Sequence, residues 1–313
     1  MRMLITGGAG FVGSYLCEKY VKEGHDVICL DNFMNGNVDN IRMLFGNKRF
    51  KLIEGDIRDE EILDRLCHGI DVIFHLAAQI HVDRSYHEPR LTYDINVTGT
   101  LNVLEAARAH DVKKVIHAST SEVYGTALYA PIDEDHPLNA PHLYGASKIA
   151  ADRMCLAYMQ TYGMNIGLMR PFNIFGPRQK DTGYGGVISI FIRRIMNDEP
   201  PIIFGNGKQT RDYTYVDDAV RAYDMVLKHK EKVMEPVNFG TGTEVTINYI
   251  ADRLLKLCGK NKLKPVHIEP RISEVHRLIA NSSKAKEIYG WTAKVDFDTG
   301  MEKFVKWYRG NSR

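Results

Sequence analysis

A short apolar strand running into a glycine-rich turn constrains this chain more than any other feature. Met3-Leu4-Ile5-Thr6 leads into Gly7-Gly8-Ala9-Gly10-Phe11-Val12-Gly13, and a helical pattern follows through Tyr20-Val21. The glycines fit G-x-G-x-x-G through Gly8, Gly10 and Gly13, and the wider-spaced variant through Gly7, Gly10 and Gly13. Glycines let the backbone turn tightly and approach a pyrophosphate, whose charge then sits at the positive end of the following helix. A glycine-rich turn alone is as often only a turn. The next strand, Asp26-Val27-Ile28-Cys29-Leu30, ends in Asp31, where a dinucleotide fingerprint expects an acid ~20 residues past the glycines. A carboxylate there accepts hydrogen bonds from ribose hydroxyls and repels a 2′-phosphate, so NAD is favoured over NADP.

The rest of the amino-terminal half keeps the same rhythm. Helical character near Val38–Leu44 leads to a strand over 50–57, a short helix near Glu60–Cys67, a strand over 71–78, a long helix from Pro89 to His110, and a fifth strand, Lys113–Ala118. A helix follows from about His142 to Tyr162, and a sixth strand from Met164 to Arg170. Strand and helix in alternation predict an α/β fold with a Rossmann-type, doubly wound parallel sheet. The expected cofactor set is Gly7, Gly10, Phe11, Val12, Gly13, Asp31, Asn32, Asp56, Ile57, Leu76, Ala77, Ala78 and Asn96. Asp56 is placed to reach an adenine amino group, Ile57 to pack on the ring, and Leu76-Ala77-Ala78 to leave room across the strand tips.

Beyond Pro171 the chain becomes richer in loops, as at Gly183-Tyr184-Gly185-Gly186 and Gly205-Asn206-Gly207. Two domains are expected: residues 1–174 for the dinucleotide and the catalytic groups, and residues 175–313 for a smaller substrate-binding lobe. Some segments should cross back, Val237-Asn238-Phe239-Gly240 among them.

Composition removes several alternatives. The 41 basic and 39 acidic residues give a net charge of +2 without a long run of either sign, so nucleic acid is not an expected partner. Five cysteines, Cys17, Cys29, Cys67, Cys155 and Cys258, are widely spaced and form no Cys-x-x-Cys pair. They are expected as reduced core thiols in a cytoplasmic protein. The scattered His form no HExxH or His-x-His pair, so no metal site is expected. No apolar run approaches the ~20 residues that a membrane span needs.

The chemistry is expected between Ser119 and Lys148. Ser119-Thr120-Ser121-Glu122-Val123-Tyr124-Gly125 follows the fifth strand, and Tyr144-Gly145-Ala146-Ser147-Lys148 opens the next helix. Residues four apart share a helix face, so Tyr144 and Lys148 stand together. Tyr-x-x-x-Lys means little alone, because Tyr15 and Lys19 satisfy it too. Only the second copy follows a strand-end Thr in a chain with a dinucleotide fingerprint. Lys148 and a positively charged nicotinamide would favour the Tyr144 phenolate, whose pKa starts near ~10, and make it a general base.

Together these segments, with Asn96 and with Arg170-Pro171-Phe172-Asn173-Ile174-Phe175-Gly176-Pro177-Arg178, resemble the extended short-chain dehydrogenase/reductase family, and within it the nucleotide-sugar epimerases and dehydratases. The resemblance covers nearly the whole chain. It implies an NAD that takes a hydride from a sugar carbon, usually C4, and returns it. Tyr144 would take the 4-hydroxyl proton, Thr120 would hydrogen-bond that oxygen, and Lys148 would bind the nicotinamide ribose. Asn173 would hold the phosphates, and Arg211, Asn238 and Arg271 match further substrate positions. Gly183–Ser189, with Val187, would line the nucleotide base. The resemblance also implies a homodimer formed through the helices near Pro89–His110 and His142–Tyr162. The late motif departs from the usual Arg-x-Gly-acid, reading Arg271-Ile272-Ser273-Glu274.

Ser121 and Glu122 choose among reactions. Thr-Ser-Glu resembles the sugar 4,6-dehydratases, as does His81-Val82-Asp83-Arg84-Ser85, which makes His81 a substrate-side candidate. The expected activity is a nucleotide-sugar 4,6-dehydratase: oxidation at C4, removal of the C5 proton by Glu122, loss of water and hydride return to C6. A 4-epimerase, a UDP-uronate decarboxylase, which also carries Thr-Ser-Glu, and a non-catalytic cofactor-binding regulator stand as alternatives.

Overall fold

The computed structural model describes residues 1–183 and 185–311. Tyr184, placed by the sequence in the base-lining segment, lies outside the described residues. In chain order the elements begin β1 (Arg2–Thr6), α1 (Phe11–Lys22), β2 (Asp26–Asp31), β3 (Phe50–Glu54), α2 (Glu60–Cys67), β4 (Val72–His75), α3 (Val82–His87), α4 (Pro89–Tyr93) and α5 (Gly99–Ala109). They continue with β5 (Lys114–Ala118), α6 (Leu143–Tyr162), β6 (Ile166–Pro171), β7 (Ile174–Phe175), α7 (Val187–Met196), β8 (Ile202–Phe204), β9 (Thr210–Asp212), β10 (Thr214–Tyr215) and α8 (Val216–Lys228). The last are β11 (Val237–Phe239), β12 (Glu244–Thr246), α9 (Ile247–Cys258), β13 (Val266–Ile268), α10 (Ser283–Tyr289) and α11 (Phe297–Asn311).

The expected α/β class holds. A seven-stranded sheet runs in the order β11-β6-β5-β4-β1-β2-β3, and from β6 to β3 its neighbouring strands are parallel. The strand order reverses between β1 and β4, the switch point where open α/β sheets leave a crevice at their carboxyl ends. Register aligns Leu4 with Ile28 and Ile73, and Ile73 with Val115. These residues form one buried layer with Val103, Leu104 and Ala107 of α5 and Cys155 and Met159 of α6. Each Leu, Ile, Val and Met of this layer contributes roughly 1.5–3 kcal/mol by leaving water.

The chain divides into two compact units. The first comprises residues 1–123, 142–170 and 220–237; the second comprises 124–141, 171–219 and 238–313. The sequence places one boundary at 174/175, whereas the structure assigns residues 124–141 to the second unit and 220–237 to the first. The second unit contains the parallel pairs β7/β10 and β8/β13 and the antiparallel pair β9/β12. Trp291, fully buried, donates its indole N–H to the Asp218 carbonyl at 3.1 Å. Asp212 fixes three loop positions there, accepting from the Thr241, Gly242 and Ala280 amides.

Two local expectations are corrected. Residues 38–44 form two 3₁₀ turns, not a helix, and the side chain of Asn37 accepts from the Asp39 amide. The helix expected from Pro89 to His110 is interrupted by a π turn over Asp94–Thr98. A π turn inserts an extra residue into the helical repeat, and Asn96 at its centre is 1% exposed.

Candidate active site

Parallel register sends the expected site segments to one edge of the first unit. Thr6 lies level with Leu30 and His75, and His117 with His75 and Leu168. Gly7, Leu76 and Ser119 therefore follow strand ends, and Asp31 closes β2, at the same carboxyl edge.

The glycine turn admits little else. Gly7 has φ +71°, and a Cβ on it would stand 2.8 Å from the Ala77 amide nitrogen. A Cβ on Gly13 would overlap the Gly7 carbonyl oxygen. The turn closes through Gly10 N–H donating to Gly7 O at 3.0 Å. The N-cap Gly10 carries no side-chain cap, and the first turn of α1, which holds Phe11, Val12 and Gly13, has no acid. The amides of that turn are thus presented to an anion with the helix dipole behind them. This cradle fits the pyrophosphate of a dinucleotide.

Asp31 is 6% exposed and accepts from the Ala9 amide at 2.9 Å and the Phe33 amide at 2.8 Å. Burial raises its pKa, against the pull of those backbone bonds. The carboxylate therefore ties the glycine turn to β2. Asp56 accepts from Asn32 Nδ2 at 2.7 Å and is forked by Arg58 at 2.9 Å. Burial pushes the Asp56 carboxyl up, but the Arg58 and Asn32 bonds outweigh it and bring it to about 2. Ile57 is buried in the sheet's core cluster, where it packs on Gly99 of α5.

Beyond β4, the Leu76 amide donates to Thr6 O and the Ala77 amide to Thr6 Oγ1. Ala78 O accepts from Asn35. Asn96 bridges this loop to α6: Oδ1 accepts from the Gln79 amide at 2.8 Å, and Nδ2 donates to Gln79 O at 2.8 Å and to Ser147 Oγ at 2.9 Å. His81, 7% exposed, has Nε2 2.8 Å from Asn35 Oδ1.

Helix α6 carries Tyr144 and Lys148. Its buried face is Tyr144, Ser147, Lys148, Ala151, Cys155 and Met159, at the spacing of one helix side, and Gly163 ends it in the left-handed conformation. Asp152 of α6 and Arg170 of β6 form a buried ion pair at 2.9 Å. Opposite, Thr120 precedes a 3₁₀ turn over Ser121–Val123, and its Oγ1 accepts from the Glu122 amide at 3.2 Å. Ser121 is 1% exposed. Thr120, Glu122, Tyr144 and Lys148 thus belong to one compact unit.

Electrostatics differ from the sequence expectation at Tyr144. Burial raises its pKa; a hydrogen bond with Thr120 pulls it down, and the charges of Glu122 and Asp152 push it up. Lys148 Nζ turns toward the strand, donating to Ala118 O at 2.7 Å and lying 3.5 Å from His117 Nε2. Burial lowers the Lys148 pKa. Burial also pushes His117 far down and His75 to about 3, so both imidazoles beneath Lys148 are neutral. The chain's own groups therefore hold Tyr144 as a phenol.

The second unit contains the other candidates. Asn173 lies between β6 and β7, its Nδ2 buried and without a protein partner among the described residues. Val187 opens α7. Arg211, in β9, donates to Thr210 O at 2.9 Å. Arg271 is exposed, with its guanidinium carbon 4.3 Å from the centre of the Phe204 ring. Asn238 is fully buried; it accepts from Tyr124 Oη at 2.7 Å and donates to Ile132 O at 3.2 Å. Those bonds make it a support of the 124–141 segment.

Sequence reasoning missed His142, Gln79, Ser147 and His117. His142 offered one signal: it stands where a helix N-cap is due, and His is an unusual cap. The Tyr15/Lys19 copy of the motif carries no such surroundings, and Lys19 pairs with Glu23 and Asp224. All five cysteines are free and buried. No metal-holding cluster occurs among the described residues, and none of their helices is long and apolar enough to cross a membrane.

Comparison with known proteins gives consistent matches along the chain. The family model described as GDP-mannose 4,6 dehydratase matches residues 4–304. A putative UDP-glucose 4-epimerase of Methanocaldococcus jannaschii is 38% identical over 313 residues, covering 99% of each chain. A UDP-N-acetyl-alpha-D-glucosaminuronate decarboxylase of Bacillus cytotoxicus is 37% identical over 325 residues, covering 98% of each. The dTDP-glucose 4,6-dehydratase DesIV of Streptomyces venezuelae, solved with NAD bound, superposes with a TM-score of 0.94 at 31% identity, over 99% of this chain and 98% of that one.

Proposed function

This chain belongs to the NAD-dependent nucleotide-sugar epimerase/dehydratase family of extended short-chain dehydrogenases/reductases, and we propose that within it the protein is a nucleotide-sugar 4,6-dehydratase. The observation that carries the reading is Glu122. Its carboxylate is largely buried and tethered in the same unit as Thr120, Tyr144 and Lys148. Inverting a carbinol at C4 needs a hydroxyl, a phenol and a Lys; it does not need a second base. Removing a proton from C5 does.

When bound, NAD supplies a reversible two-electron acceptor that takes hydride from the sugar C4 and returns it at C6. The protein's own groups move the protons. Tyr144, a phenol in the chain alone, takes the proton of the 4-hydroxyl in the phenolate form that a positively charged nicotinamide would favour, with Thr120 bonded to the same oxygen, and Lys148 holds the nicotinamide ribose from its anchor on Ala118. Once C4 is a carbonyl, the C5 proton is acidic and Glu122 removes it. The C5–H electron pair becomes the C5=C6 bond as the C6–O bond breaks. The proton held by Glu122 leaves with the C6 oxygen as water, with Ser121 hydrogen-bonded to that oxygen. As hydride reaches C6, the C5=C6 pair takes a proton at C5, matched by release of the one Tyr144 gained, so Tyr144 and Glu122 end in their starting protonation states and the product is a 4-keto-6-deoxy sugar nucleotide. General acid–base steps of this kind contribute roughly 10²–10⁴-fold each.

Under this reading residues 1–174 carry the cofactor and proton chemistry, with Asn173 at their end holding the phosphates, and residues 175–313 carry nucleotide recognition through Val187, Arg211 and Arg271, with His81 on the sugar side. Five free buried cysteines suit a reducing cytoplasm. Exposed Leu101 of α5 and Tyr162 of α6 suit a homodimer through those helices. The relatives' names favour two other outcomes, epimerisation and decarboxylation, and product identity separates them. Incubation with UDP-, dTDP-, GDP- and CDP-hexoses, followed by NMR, should give a 4-keto-6-deoxy product. A C4-inverted hexose, or carbon dioxide from a uronic acid substrate, would contradict the proposal.

A further inference from the structure

We infer that His142 is a positioning residue for Glu122, coupling this base to the N-terminus of the helix that carries Tyr144 and Lys148. The inference rests on the dehydratase reading, because only there does Glu122 remove the C5 proton.

Three contacts define the residue. His142 is the N-cap of α6, and its Nδ1 accepts the Gly145 amide hydrogen bond at 3.0 Å. Its Nε2 lies 3.0 Å from Glu122 Oε2. Its ring stacks on that of Tyr144, with centroids 6.0 Å apart and planes 15° from parallel. The side chain is 2% exposed and that of Glu122 16%.

The hydrogen-bond network assigns the tautomer. Nδ1 faces an N–H and must be an acceptor, so the ring proton of the neutral imidazole is on Nε2 and is donated to Glu122. A neutral donor of fixed orientation restrains the carboxylate without neutralising it, which is what a base at that position requires. A cap needs only a short oxygen, and Ser, Thr, Asp and Asn are the usual choices. None of them can cap Gly145 and also reach Glu122. The imidazole does both, through its two nitrogens.

The separable prediction concerns two half-reactions of one turnover. C4 oxidation is carried by Thr120, Tyr144 and Lys148, whereas C5 proton removal is carried by Glu122. In His142→Asn and His142→Ser the cap is kept and the Glu122 contact is lost. With a sugar nucleotide that the wild-type protein dehydrates, single-turnover formation of reduced cofactor should stay within about 3-fold of wild type. Exchange of the C5 hydrogen with deuterated solvent should slow by roughly 10²-fold, the size of a misplaced general base. Glu122→Gln should slow C5 exchange at least as much, and adding His142→Asn to it should cost little more, as for residues acting as a unit. Equal slowing of both half-reactions in the two cap variants would overturn the inference and leave His142 as a helix cap. So would C5 exchange at the wild-type rate. Wild-type protein that exchanges no C5 hydrogen with any substrate it turns over would instead refute the dehydratase reading, and this inference with it.

Discussion

Lys148 Nζ donates to the carbonyl oxygen of Ala118 at 2.7 Å, joining the second turn of α6 to the last residue of the strand that delivers Thr120. The bond fixes a buried ammonium at the sheet edge, over two imidazoles held neutral by burial. A Lys in this position can present its remaining donors to a ribose without competing positive charge beneath it.

Replacing Lys148 by Met keeps the buried stem and removes the donors. The expected outcome is a fall in kcat of about 10²-fold or more together with weaker NAD binding. Steady-state kinetics and cofactor titration by fluorescence check it, and Lys148→Arg should not restore activity, because a planar fork cannot replace a compact ammonium in a buried site.

Gly13→Ala places a methyl group against the Gly7 carbonyl. Overpacking of this kind costs roughly 1–3 kcal/mol, and the displaced turn is the one that presents the α1 amides. Thermal denaturation should show a lower Tm and loss of the rise in Tm that NAD produces in the wild-type protein.

The pH dependence of C4 oxidation should respond to Glu122. Tyr144 acts as a base in its deprotonated form, and the negative charge of Glu122 raises its pKa, so the active form appears at higher pH while Glu122 is ionised. In Glu122→Gln that charge is gone, and the rising limb of reduced-cofactor formation should move to lower pH. A pH series of single-turnover absorbance traces on the two proteins measures the displacement.

What was legible in the sequence followed from local rules. Six strands, the glycine turn and the Tyr144–Lys148 face are set by apolar runs, φ-permissive residues and helical spacing, all read over short windows. The π turn at Asp94–Thr98 was not legible, because it depends on Asn96 finding Gln79 and Ser147, which are distant in sequence. The two turns over 38–44 escaped for a similar reason: their apolar spacing imitates a helix, while Asn37 closes a local turn instead. The alternation of units at 124–141 and 220–237 depends on packing rather than pattern. Within the candidate site, residue identities nominated Thr120, Glu122, Tyr144 and Lys148, but not the direction of the Tyr144 pKa, which burial decides. Nor did they give His142, whose partner lies twenty residues away.

The most direct test of the account follows one hydrogen atom. A nucleotide hexose deuterated at C4 is incubated with the wild-type protein, and the product is examined by NMR and mass spectrometry. Intramolecular oxidation at C4, elimination at Glu122 and hydride return predict deuterium at C6 of a 4-keto-6-deoxy sugar. Deuterium retained at C4 of an inverted hexose would contradict the account and assign the protein to the epimerases.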